Sequence, residues 1–292
     1  MRSEWYYHLV AFLVVAVWGT TFISTKVLII HGLSPAQIFT IRFIIAYVLL
    51  LAVDHKRFLS DSWRDELLFV LLGISGGSLY FLAENAALTY TNATNVSIIV
   101  CSCPLFAAIM LGIFYKSERL NVRACIGSLM ALAGMAIVVL NGHFVLHLSP
   151  RGDALAFVAC LCWAVYSLLM KPVGSRYTSF YITRKVFFYG LTTIALYFLL
   201  RPDELQVPVD VLKEPVVWAN LLYLGCIASM LCYLVWTWVM KKLGAVRATN
   251  WVYFNPITTM IAAAIVLNER ITLFFLVGAL LILLGLYVAS KR

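Results

Sequence analysis

Charge is what this chain has least of. Only 12% of its residues are Asp, Glu, Lys or Arg, about half the ~25% usual in a soluble domain, which excludes a water-soluble globule. Acids are scarcer than bases: 13 carboxylates against 22 Lys and Arg leave a formal charge of +9. Those bases flank apolar runs instead of gathering on one patch, so the reading excludes a nucleic-acid partner. Patterns that carry chemistry are missing too. No Gly-rich phosphate loop ends in Lys, no His pair stands at metal-ligand spacing, and no embedded nucleophile has a base beside it. His31, His55, His143 and His147 fall at loops or span ends, and His8 opens the first apolar run. Cys101-Ser-Cys103 and Cys160-Leu-Cys162 lack the two-residue spacer of a zinc or redox pair. With Cys125, Cys226 and Cys232 they read as small apolar filler. The expectation is no enzyme, no cofactor and no metal.

What is present is hydrophobic. Apolar residues make up 63% of the 292, and mean hydropathy is +0.94. Bilayer-crossing runs of ~20 residues recur along the whole chain. We place spans at 8–30, 35–53, 66–89, 94–115, 121–140, 152–172, 181–200, 216–240, 247–267 and 271–290. Open strands cannot satisfy their backbone in lipid, so these are helices. The fold expected is an all-α integral membrane protein with ten transmembrane helices. The first run, Leu9 to Ile30, is too long for a secretory h-region of ~7–15 residues and is expected to be a retained span.

The chain contains one stretch twice. Pro104 precedes Glu118-Arg119, and Gly127 and Gly134 lie 9 and 16 residues past that Glu. Pro256 precedes Glu269-Arg270, and Gly278 and Gly285 again fall 9 and 16 past the Glu. Trp18 and Lys26 are eight apart, as are Trp163 and Lys171. The chain therefore divides into repeats at 8–140 and 152–290. Each repeat has five spans, an odd number, so the second must run through the membrane upside down. Loops and span ends on one side receive sixteen Lys and Arg, from Arg2 through Lys56, Lys116, Arg176 and Lys241 to Arg292. The other side receives Arg151, Arg201, Lys213 and Arg270. The positive-inside rule then puts both termini in the cytoplasm. Inverted repeats characterise many secondary transporters, with substrate held near mid-bilayer between the halves.

Trp18-Gly19, Lys26, Pro35, Arg42, Pro104, Glu118-Arg119, Gly127 and Gly134 occur in order. Gly152-Asp153, Trp163-Ala164, Lys171, Pro256, Glu269, Gly278 and Gly285 follow them. In this arrangement the sequence resembles the drug/metabolite transporter superfamily, EamA-type permeases, over nearly its whole length. The resemblance implies a ten-helix carrier of the bacterial inner membrane, built from two five-helix repeats, that exports amino acids or other small metabolites.

Glu84 is the one acid inside a span core. A mid-span charge costs roughly 2.5–3.5 kcal/mol on insertion scales, so it faces a partner or a cavity. Lys26 and Arg42 sit about 6–11 Å from the same outer edge. One reading is a charge-satisfied brace of Lys26 and Arg42 with Glu84. The other is a proton-coupling Glu84 that, once protonated, frees Lys26 or Arg42 to attract a carboxylate. Lys171 and Arg184, at span ends, are expected to snorkel to headgroups.

Trp5, Tyr6, Tyr7, Trp63 and Trp218 read as interface belts. Trp18, Tyr80, Trp163, Tyr166, Tyr233, Trp236 and Tyr253 fall mid-span and are substrate-cavity candidates. Ser97, Cys101, Asn250 and Asn255 add polar atoms beside Pro104 and Pro256, where kinked helices free carbonyls to line a path or meet a neighbouring helix. The paired glycines, with Gly73 and Gly77, let helices approach closely.

The function expected is alternating-access export of an amino acid or amphipathic organic acid. One alternative is a hydrophobic-cation drug exporter using Glu84. Another, of a different class, is a lipid scramblase or a membrane interaction protein. The expected partners are a small-molecule substrate and the lipid bilayer. Oligomeric state stays open, a monomer being sufficient for a pathway between its own halves.

Overall fold

The structure, a computed structural model, describes residues 2–55, 57–91, 93–115, 122–140, 149–207, 210–267 and 272–290. The Glu118-Arg119 and Glu269-Arg270 signatures lie outside them. The described residues form ten helical rods and no strand. They are α1 (Arg2–Ile30), α2 (Pro35–Val53), α3 (Trp63–Tyr90), α4 (93–114), α5 (Val122–Leu140), α6 (Pro150–Gly174), α7 (Ser179–Leu200), α8 (Pro215–Leu243), α9 (245–267) and α10 (Leu273–Ser290). Within them Trp5–Ile30, Pro35–Val53, Trp63–Tyr90, Pro150–Gly174 and Pro215–Leu243 are long and apolar enough to cross a membrane. Shorter apolar helices, Cys103–Phe114, Val122–Ile137 and Leu276–Ala289, pack beside them. The protein is an all-α integral membrane protein.

Local sequence sets the rod ends. Ser34 accepts from Gln37 N while the Gln37 side chain accepts from Ser34 N, a reciprocal cap that starts α2, with Pro35 at its first turn. Ser62, Ser149 and Thr178 cap α3, α6 and α7 in the same way, each with its own hydroxyl. Pro104 stands second in the second segment of α4, which begins at Cys103 after a turn at Cys101-Ser102, where a missing N–H costs nothing. Pro256 stands second in the last segment of α9, which follows a tight 3₁₀ turn over Asn250–Phe254.

The clearest trace of the duplication is where α5 meets α10. A methyl group on Gly134 would stand 2.7 Å from Gly278 O, and one on Gly127 would run into Gly285 O and Ala289 N. The earlier glycine of one helix thus meets the later glycine of the other. Crosswise pairing of equivalent positions is what a two-fold axis produces, and it requires the two helices to run antiparallel. Only glycine lets the backbones come this close.

Where α3 and α7 meet near the α2–α3 and α6–α7 connections, charges are paired. Asp65 takes Arg176 at 2.7 Å and the Tyr177 hydroxyl at 2.7 Å. Glu66 holds Lys185, Tyr189 and Ser60 together. Burial, helped by the bond to Asp65, pushes the Tyr177 phenol up to about 12, so it stays a donor. Arg184 does not snorkel: it is 2% exposed and donates to the carbonyls of Asp54 and Arg57, closing the end of α2. A planar five-donor fork suits fixed carbonyls better than headgroups here. The Lys171 ammonium lies over the Tyr115 ring at 4.4 Å.

Candidate functional site

Two helices at equivalent places in the repeats, α3 and α8, are interrupted by π-helical turns at Ile74–Ser78 and Tyr223–Leu231. Gly77 leaves helical geometry there, at φ −126°, ψ −107°. Such turns release carbonyls from the regular ladder, and the other half of the molecule uses them. Tyr233 of α8 donates to Gly76 O at 2.6 Å. Trp18 of α1 donates its indole N–H to Ala228 O at 3.0 Å. Arg42 of α2 donates Nε–H to the Ser229 hydroxyl at 2.8 Å, and its guanidinium lies 4.4 Å from the Phe81 ring centre. Each turn therefore fixes a side chain from across the repeat boundary.

These side chains surround a small cavity between the halves. Trp18, Arg42, Tyr80, Glu84, Trp163, Tyr233 and Asn255 line it, together with Thr21, Phe22, Phe81, Val100, Cys103 and Val252. Its volume is about 30 Å³, room for about two waters. Glu84, 8% exposed, accepts from the Tyr80 hydroxyl at 2.8 Å, one turn back along α3. Rings close around it: Trp18 and Trp163 meet edge to face at 5.4 Å, and Tyr80 lies 5.2 Å from Trp163. The Trp163 indole N–H is buried and has no partner among the described residues.

The brace reading differs from what is found. Among the described residues no ion pair joins Glu84 to Lys26 or Arg42. Lys26 points instead to Leu88 O at 2.7 Å, capping a free carbonyl near the end of α3. Helix-end carbonyls compete for an ammonium, and Lys26 is one long side chain away from them. Arg42 finds Ser229 because the π-turn in α8 brings that hydroxyl inward.

The remaining candidates do not line this cavity. Trp236 is fully buried and lies 5.0 Å from Trp18. Tyr166 packs on Gly76, where any side chain would strike its ring. Ser97 and Cys101 are buried in and just after the first segment of α4, and Tyr253 is buried in the 3₁₀ turn of α9. Asn250 borders a different crevice, shared with His8, Arg247 and Trp251. Ser229, Phe81 and Thr21 carried no mark in the sequence. The signal that finds Ser229 is the run of small residues Gly225, Cys226, Ala228, Ser229, which corresponds in the other repeat to Gly73, Gly76, Gly77.

Comparison with known proteins follows the same division. The profile of the EamA-like transporter family matches residues 5–140 and 150–291. An uncharacterized transporter of Archaeoglobus fulgidus is 31% identical over 98% of this chain and 97% of its own. A probable amino-acid metabolite efflux pump of Escherichia coli strain K12 is 26% identical over 95% of this chain and 92% of its own. A probable terminal-alkyne amino-acid exporter of Streptantibioticus cattleyicolor is 24% identical over 96% of this chain and 92% of its own. A crystal structure with 20% sequence identity shares the fold at a TM-score of 0.72, covering 97% of this chain and 96% of its own. With both halves of its length matched, the chain belongs to the EamA-like transporter family, within the drug/metabolite transporter superfamily.

Proposed function

We propose that this transporter exports an amino acid by alternating access between its two halves, 8–140 and 152–290, with ten membrane crossings and both termini in the cytoplasm of a bacterial cell. The observation that carries the reading is the central cavity, where Arg42 and Glu84 are buried in one wall system and not paired with each other. A zwitterion supplies the two missing partners: its carboxylate suits the guanidinium fork, and its ammonium suits Glu84. The spare indole N–H of Trp163 offers a further donor, and the surrounding rings suit an apolar side chain. A cavity of about 30 Å³ is too small for such a molecule, so the helices must part to load it. Two relatives named for amino-acid efflux support the same class. When the site is empty, Glu84 takes up a proton and couples the return step. Catalysis plays no part in this reading.

The test compares amino acids in the medium of cells lacking and over-producing the protein, followed by counterflow of the responding amino acid in proteoliposomes. Saturable counterflow that needs both Arg42 and Glu84 is the expected result. Flux of an apolar cation that needs Glu84 and survives Arg42→Gln would replace it with the cation-exporter reading. Equilibration of labelled lipid without solute flux would remove the carrier reading altogether.

A further inference from the structure

A second, much larger cavity of about 1100 Å³ lies where the ends of α6 and α8 meet the starts of α1, α7 and α9. It exceeds the ~300–1,000 Å³ of ordinary small-molecule pockets, and it shares no lining residue with the central cavity. Its lining divides by chemistry. Lys241 and Lys242, adjacent and exposed in the last turn of α8, stand with Lys171 on its wall, and among the described residues no Asp or Glu lines it. Lys241 spends one of its three donors on Tyr177 O at 2.7 Å, which leaves two N–H groups for a ligand. The remaining wall combines the hydroxyl residues Ser175, Thr178 and Ser179 with an apolar and aromatic side formed by Val10 and Tyr6 of α1 and Trp238 of α8, Tyr6 and Trp238 meeting edge to face at 6.1 Å.

A soluble anion would satisfy the lysines and leave that apolar wall wet. An amphiphile with an anionic head satisfies both. Aromatic side chains mark headgroup depth on membrane helices, and basic clefts between helices are where anionic headgroups settle. We propose that this cleft binds one anionic phospholipid, its phosphate on Lys241 and Lys242 and its acyl chains against Val10 and Trp238. The lipid would wedge the end of α8 against α1 and α6, three helices that also reach the central cavity through Tyr233, Trp18 and Trp163.

The test uses the purified full chain, delipidated in neutral detergent, with native mass spectrometry as the readout. Dioleoylphosphatidylglycerol is expected to bind at least ~10-fold tighter than dioleoylphosphatidylcholine, and removing each lysine as Lys→Gln should weaken it about fivefold, with phosphatidylcholine unaffected. Lys242→Gln, at an exposed position, keeps the Lys241–Tyr177 contact and gives the result even where Lys241→Gln fails to fold. Lys213→Gln, on the connection before α8, should change nothing. Equal retention of the two lipids overturns the proposal. So does unchanged phosphatidylglycerol affinity in Lys242→Gln, or displacement of the lipid by millimolar inorganic phosphate, which would mark a soluble-anion site.

Discussion

Buried charge is handled in two ways in this protein. At the junction of α3 and α7 every acid has a base: Asp65 with Arg176, Glu66 with Lys185, each reinforced by tyrosine hydroxyls. In the central cavity an acid and a base are buried without touching, each steadied by a neutral hydroxyl, Tyr80 for Glu84 and Ser229 for Arg42. Paired charges cancel and hold helices together. Separated ones, on the function proposed above, keep their fields for a substrate.

The contrast can be broken most sharply at its structural pole. Lys185→Met leaves Glu66 without its base and is expected to cost about 3–5 kcal/mol, read as a large fall in the thermal midpoint of the detergent-solubilised protein. A midpoint that does not move would show that the α3–α7 pairs carry no stability.

At the other pole, Glu84→Gln, whose amide oxygen can still accept from Tyr80, should leave that midpoint nearly unchanged, and Arg42→Gln should cost only the bond to Ser229, about 1.5–3 kcal/mol. Each should lower amino-acid counterflow about 10–100-fold, the worth of one hydrogen bond to a charged group at ~1.5–3 kcal/mol. Loss of stability in step with loss of flux would make the cavity charges structural as well.

Between the poles, the repeat contact is uncharged. Gly134→Val forces the α5 and α10 backbones apart and should cost about 1–3 kcal/mol with little change in substrate affinity, measured by unfolding and by counterflow half-saturation. The smallest effect belongs to Trp18→Phe, which removes one indole bond to Ala228 O and should cost about 0.5–1.5 kcal/mol by the same unfolding assay. An unchanged midpoint there would mean that the π-turn carbonyl in α8 finds another donor.

Much of the candidate site is legible in the sequence alone. Glu84 and Arg42 announce themselves because a charge inside an apolar span is costly and must be accounted for. Trp18, Trp163 and Tyr80 also fall at the cavity wall. Lys26 misleads because periodicity fixes depth and face, whereas the end of α3 places a free carbonyl within the reach of a long flexible chain. Arg184 misleads in the same way: its depth is right for a headgroup, but the neighbouring loop offers carbonyls first.

Length, apolar runs and duplicated Pro, Glu and Gly spacings sufficed by themselves for helices, their approximate limits and the two-repeat construction, because lipid leaves the backbone one solution and the same spacings recur in each half. Which glycine meets which, where the helices open into π-turns, and which hydroxyl holds Arg42 were settled only in three dimensions. Those outcomes depend on contacts between residues as far apart as Trp18 and Ala228, and no local pattern encodes a hydrogen bond that exists only after two halves have packed.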